Sequence, residues 1–209
     1  MHDIRLFRAP SNLGLRPLRP GHVPGTWRGP KALTKAGLVD ASAPAAIVDL
    51  ERPTHSAEAE PGTGLRNGHA IRRFNLDLAD AVADALGRDE GPLVIGGDCS
   101  ALLGALAAAR RSGPVALVHV DGHSDFRHPG NYDASATLGS VAGMDVGLAT
   151  GRGEPLLTEW PGIAGPLVAD ETVVQMASAT AAIPTLPGPT STRLGSHASM
   201  SSRPGKWAR

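Results

Sequence analysis

The sequence predicts an α/β protein, a three-layer α/β/α sandwich with a mainly parallel sheet, and three observations carry that prediction. Pro92-Leu-Val-Ile95 and Val115 to Val120 are short apolar, β-branched runs of the kind shown by strands covered on both faces. Between them Ser100 to Arg111 is a helix rich in Ala and Leu, so strand, helix and strand form a βαβ unit of about thirty residues. Two polar stretches, Gly96 to Ser100 and Asp121 to Asp125, follow these strands directly. They fall at the carboxyl edge, where open α/β sheets bind ligands.

The other elements follow in order. Ile4 to Phe7 reads as a first strand, and Ala9-Pro-Ser-Asn-Leu-Gly14 as the loop at its end. Arg16 to Gly25 is irregular, and Pro30 to Gly37 is a short helix with Pro in its first turn and Gly at its end. Ala45 to Leu50 is a second strand, and Glu51 to Gly68 a surface loop whose His55, like His69 just beyond, reads as a solvated histidine. From Ile71 to Leu86, Ile71, Phe74, Leu78, Val82 and Ala85 recur every three or four residues, the stripe of a packing helix. Asp98 or Ser100 can cap the next helix, which ends in Arg110, Arg111 and Gly113. Arg127 to Ala136 reads as a polar loop, Leu138 to Ala149 as a helix, and Thr172 to Met176 as a further strand.

Composition narrows the function classes. A chain of 209 residues can bury a real core, and with aromatics at 3% that core must be aliphatic. Formal net charge is +0 with no basic block, which argues against nucleic acid as a partner. Neither the start, Met1 to Phe7, nor the apolar run around Ala101 to Ala109 suits a signal core or a bilayer span, so no membrane partner and a cytoplasmic location are expected. The single cysteine, Cys99, agrees with a reducing compartment.

Asp121, His123 and Asp125 alternate at the end of the apolar run. An extended chain would aim all three into one space; the alternative is a polar turn in which Asp121 caps backbone amides. Two carboxylates and an imidazole favour manganese, iron or zinc over calcium. His119 is expected on the opposite face, as a satisfied core histidine. Cys99 reads either as a soft ligand or as a small residue capping the strand end.

The two polar stretches also carry a family resemblance. Gly96-Gly97-Asp98-Cys99-Ser100 resembles the Gly-Gly-Asp-His-Ser element of the ureohydrolases (arginase, agmatinase, formiminoglutamase), and Asp121-Gly122-His123-Ser124-Asp125 resembles their Asp-Ala-His-x-Asp element. Gly29-Pro30, Leu33 and Gly37-Leu38 match a further family pattern. The resemblance implies a metal-dependent hydrolase that cleaves a C–N bond of a small cationic guanidino, amidino or formimino compound with metal-activated hydroxide. It implies a binuclear Mn2+ centre with Cys99, Asp121, His123 and Asp125 as metal ligands, and self-association, since oligomers are common in the family.

Departures from the pattern sharpen these expectations. Cys99 stands where the family has a ligating His, which would shift preference toward Zn2+ or Fe2+. Val141-Ala-Gly-Met144 aligns with the family's His-Gly-Met, so Ala142 replaces a proton-shuttling His, and no catalytic residue is assigned. The family's later Ser-x-Asp-x-Asp-x-x-Asp-Pro element is absent, since nothing acidic follows Glu171. The alternative expectation is therefore an inactive or truncated chain that holds at most one ion weakly. Composition divides the chain into an arginase-like domain, 1–176, incomplete at its C-terminus with exposed sheet edge, and a low-complexity tail, 177–209, of the sort that translation past a frameshift would give.

Overall fold

The computed structural model describes residues 2–131, 133 and 139–176. The expected tail, 177–209, lies outside the described residues, as do much of the polar loop and the start of the helix expected from Leu138. The elements are β1 (Ile4–Ala9), a 3-10 turn (Thr26–Arg28), α1 (Gly29–Leu33), α2 (Val39–Ser42), β2 (Ala46–Asp49), α3 (Gly68–Gly87), β3 (Gly91–Gly96), α4 (Ala101–Arg111), β4 (Leu117–Val120), α5 (Asp145–Ala149), α6 (Pro155–Thr158) and β5 (Val173–Met176).

All pairs of these strands are parallel, as the apolar runs require. β1 lies between β2 and β3, with Phe7 opposite Val48 and Val94. Leu6 and Phe7 are adjacent and both fully buried, so β1 is covered on both faces. Phe7 joins the main core with Ile71, Phe74 and Leu78 of α3 and Leu103 and Leu106 of α4, while Leu6 lies outside that cluster. The fold is thus α/β with helices layered on a parallel sheet, as the sequence predicts.

The βαβ unit differs from expectation in one respect. β3 pairs with β1, and β4 pairs with β5, so the two strands belong to separate ladders, of three and two strands. In the second ladder Val118 faces Val174 across the pair and Val120 faces Met176. Val118 and Val120 are 63% and 68% exposed, and Val174 and Met176 are exposed beside them. The expectation that β4 is covered on both faces is therefore corrected: among the described residues only the His119 and Gln175 side is enclosed, since side chains alternate across a strand.

Smaller differences have local causes. Gly37 takes φ 103° and breaks the helix where expected, the chain kinking there into α2, while the helix expected over Leu138 to Ala149 is a 3-10 turn, Val141–Gly143, followed by α5. His55 is not simply solvated, for its Nε2 meets the Leu15 carbonyl at 3.1 Å and pins the long loop to the loop after β1. Asn67 strengthens that link: its side chain accepts from the Ser56 N–H at 2.7 Å and donates to the Leu13 carbonyl at 3.0 Å.

α3 and α4 pack together through a polar contact. Asn75, fully buried, donates to the Ile71 carbonyl at 3.0 Å and accepts from the Gly104 N–H at 2.7 Å. That N–H belongs to the first turn of α4, where backbone donors need partners from outside the helix. A Cβ on Gly104 would meet Asn75 Oδ1 at 2.7 Å and the Asn75 carbonyl at 2.8 Å, so the crossing tolerates only glycine. Asn75→Ala leaves the donor buried and unpaired and should cost about 1–3 kcal/mol. Thermal unfolding should register this as a fall of roughly 2–4 °C per kcal/mol for a chain of this size.

The lead into β5 is tied back by Arg152, which donates to both Asp170 oxygens at 2.7 and 2.6 Å and lies over the Phe126 ring at 5.2 Å. Hydrogen bonding to Arg152 holds the Asp170 carboxyl below its ordinary value of 3.8. A carboxyl lowered by folding stabilises above its unfolded pKa and loses that contribution as pH falls through the folded value. Asp170→Asn should lower stability by about 1 kcal/mol or less near neutrality. In urea unfolding series the difference from the parent should vanish once the pH falls through the lowered Asp170 value; a constant offset at all pH values would contradict the pairing.

Candidate metal centre

Three segments meet at the carboxyl ends of β1, β3 and β4. The loop after β1 brings Ser11, whose hydroxyl donates to Asp98 Oδ2 at 2.8 Å. Asp98 Oδ1 accepts the Ser100 N–H at 2.9 Å, so Asp98 rather than Ser100 orders the turn into α4. Gly14 fits where these parts converge: a Cβ there would meet Asp98 Oδ1 at 2.5 Å and the Ala142 nitrogen at 3.0 Å. The Gly14 carbonyl accepts the Ala142 N–H at 3.0 Å, which docks the turn before α5 on the same point.

The stretch after β4 is a turn and not a continued strand. β4 ends at Val120, and Asp121 Oδ1 accepts the His123 N–H at 2.8 Å, a side-chain closure that competes with extended structure. The expected alternation is thereby broken. His123 turns out to solvent, its side chain 87% exposed, with Nδ1 3.5 Å from Asp121 Oδ1. Asp125 goes the other way. Its backbone takes φ 44°, a left-handed conformation costly for a residue with a side chain, and the residue is buried. Its carbonyl accepts the Val146 and Gly147 N–H groups at 3.1 and 3.4 Å, which fixes α5 against the turn.

Side chains from these segments form two overlapping groups. Ligand atoms of Cys99, Asp121 and Asp125 lie within 4.8 Å of one another, and so do those of His119, Asp125 and Asp145. Asp125 belongs to both. Of the four residues singled out from sequence, Cys99, Asp121 and Asp125 are brought together and His123 is not.

His119 and Asp145 enter where the sequence reading did not place them. The expectation for His119 is corrected, because positions 119 and 121 are two apart and share one side of an extended chain. Its Nδ1 also meets Gln175 Nε2 at 3.2 Å, so β5 orients the ring. Asp145, only 1% exposed, begins α5 directly after Gly143-Met144. A lone acid heading the otherwise apolar run from Met144 to Ala149 was the available signal for it.

The electrostatics reflect crowding of like charges out of water. Burial, and then the Asp125 charge, push the Asp145 carboxyl up to about 8. Burial, and then Asp121, raise Asp125 as well. For Cys99, burial followed by the charges of Asp145, Asp125, Asp121 and Asp98 pushes the thiol up to about 12. The group is a protonated thiol at neutral pH, hydrogen-bonded to Asp125, although part of the residue reaches solvent. Each cluster offers three oxygen, nitrogen or sulfur donors to one point, a set that suits a divalent first-row ion, and a cation there would offset the mutual repulsion of the carboxylates.

Among the described residues no helix is long and apolar enough to cross a membrane.

The architecture and the site have clear relatives. The arginase of Bacillus caldovelox is 33% identical over 157 residues, which cover 72% of this chain and 51% of that protein. An arginase of Staphylococcus aureus strain N315 is 29% identical over 171 residues, 75% of this chain and 51% of its own. The structure of the Bacillus caldovelox arginase superposes with a TM-score of 0.69 at 26% identity, covering 86% of this chain and 59% of that one. Arginase from Bacillus cereus gives 0.65 at 25% identity, over 85% and 57%. The chain thus spans about half the length of the curated relatives it matches. The family model for arginases matches residues 3–180, which takes in every strand and helix described above and both clusters around Asp125. The chain therefore belongs to the arginase family.

Proposed function

We propose that residues 1–176 are the arginase-like domain of a metal-dependent ureohydrolase and that they hold a divalent cation at Asp125. The observation that carries the reading is the position of Asp125, buried and shared by two three-donor groups in a fold of this family. Manganese is the expected ion by family. Zn2+ or Fe2+ gains if the Cys99 thiol gives up its proton to ligate, since a thiolate is the softer donor. A bound divalent ion would supply a water-derived nucleophile near neutral pH. The reaction is hydrolysis of a C–N bond in a small guanidino, amidino or formimino compound.

The chain's own residues have definable parts in this reading. Asp125 and Asp121 provide anionic charge, Asp125 held in place by the α5 backbone and Asp121 by its own turn. His119, steadied by Gln175, and Asp145 supply donors on the buried side. His123 stands at the rim beside Asp121. Ala142, close to Gly14 at the same convergence, carries no proton-transferring group.

A second reading, a catalytically silent chain with one weak ion, is favoured by the outward His123. Two measurements separate the readings. Purified chain dialysed against Mn2+, Zn2+ or Fe2+ should retain at least about one ion per chain, since a carboxylate shared by two donor groups can ligate one ion or bridge two. It should also release urea, ammonia or formamide from a panel of guanidino, amidino and formimino compounds. Retention without product selects the silent reading, and failure to retain any ion stoichiometrically removes both.

The ligand set is tested separately by metal titration. Asp125→Asn should weaken affinity by more than about 100-fold, beyond the range typical of a merely supporting residue. His119→Ala should cost at least about 10-fold, and His123→Ala less than that; the reverse order would place the histidine of the site at His123.

A further inference from the structure

A cavity of about 600 Å³ opens at the carboxyl ends of β1 and β2, lined by none of the residues of the Asp125 clusters. Its charged lining is Arg8, Arg28, Lys31 and Arg52 against the single acid Asp49, with the Trp27 indole among them. The rest of the wall is two prolines and a leucine. Asp49 does not balance the cations, because Arg8 already claims it through Nε at 2.7 Å and through a second nitrogen at 2.5 Å. That leaves three cationic groups facing the space.

The arginines are also prepared for a ligand. The guanidinium of Arg52 lies 3.7 Å from the Trp27 ring centroid and that of Arg28 lies 4.7 Å from it. A guanidinium held over an indole loses some of its side-chain freedom while its N–H donors are not consumed by the ring. Among the described residues neither guanidinium makes a hydrogen bond or ion pair, and neither does the Lys31 ammonium. Planar donors of this kind grip carboxylate or phosphate oxygens in pairs. The volume falls in the range of small-molecule sites and exceeds what a bare inorganic ion would fill, while the proline, leucine and indole walls can receive a carbon frame.

We propose that this cavity binds a small organic anion, its carboxylate or phosphate groups held by Arg28, Arg52 and Lys31 and its carbon skeleton against Trp27. The site is built by the loop after β1, the start of α1 and the end of β2, and requires none of the donors around Asp125.

Tryptophan fluorescence tests the inference directly. The full chain is titrated with citrate, with a nucleoside monophosphate and with inorganic phosphate at fixed ionic strength. Saturable change with citrate or the nucleotide is expected, and whichever binds tighter tells carboxylate from phosphate. Trp27→Phe should abolish the signal, and Arg28→Ala should weaken binding by about 10-fold or more. Arg52→Ala provides a second variant, and circular dichroism checks that each is folded. The inference is overturned if neither organic anion saturates, if inorganic phosphate binds as tightly as both, or if folded Arg28→Ala and Arg52→Ala bind like the parent.

Discussion

The turn that places Asp125 is the constraint on which the candidate centre depends. Its backbone sits in the left-handed region, its carbonyl receives two N–H groups from α5, and its carboxylate is buried between Asp121 and Cys99 on one side and His119 and Asp145 on the other. Backbone strain of about 1–3 kcal/mol persists only where surroundings over-determine it. Here they do so, for α5, Arg152 and the ring of Phe126 hold the segment from several directions.

Buried like charges follow from that geometry and limit what the chain can do alone. Asp145 and Asp125 are raised because each loses water and faces another carboxylate. Such a cluster is costly unless something positive is shared among its members. The same physics appears in mirror image at the far edge of the sheet, where Arg28, Arg52 and Lys31 surround a cavity with one acid already neutralised by Arg8. Two patches of opposite sign, each at the carboxyl ends of parallel strands, suit a fold whose loops gather on that edge.

The sheet sets a different kind of limit. The described strands form two parallel ladders that share no hydrogen-bonded strand, and the β4–β5 pair turns Val118, Val120, Val174 and Met176 outward. Continuous β-branched runs anticipate cover on both faces, and β1 has it, with Leu6 and Phe7 both buried. β4 has it on the His119 side alone among the described residues.

The sequence by itself determined the fold class, the parallel strands, the amphipathic stripe of α3 and the two motif loops at strand ends, because hydrophobic period, Gly and Pro act locally. Asp121 and Asp125 were legible from their spacing after an apolar run, and Cys99 from the family resemblance of its motif. What only the tertiary structure decided is which histidine joins them. A two-residue spacing implies a shared direction only while the chain stays extended, and Asp121 ends that extension by closing on the His123 N–H. His119 and Asp145 then meet Asp125 through a strand pairing and a helix docking that lie 56 and 20 residues apart in the chain from their partners Gln175 and Asp125, distances that no local pattern encodes.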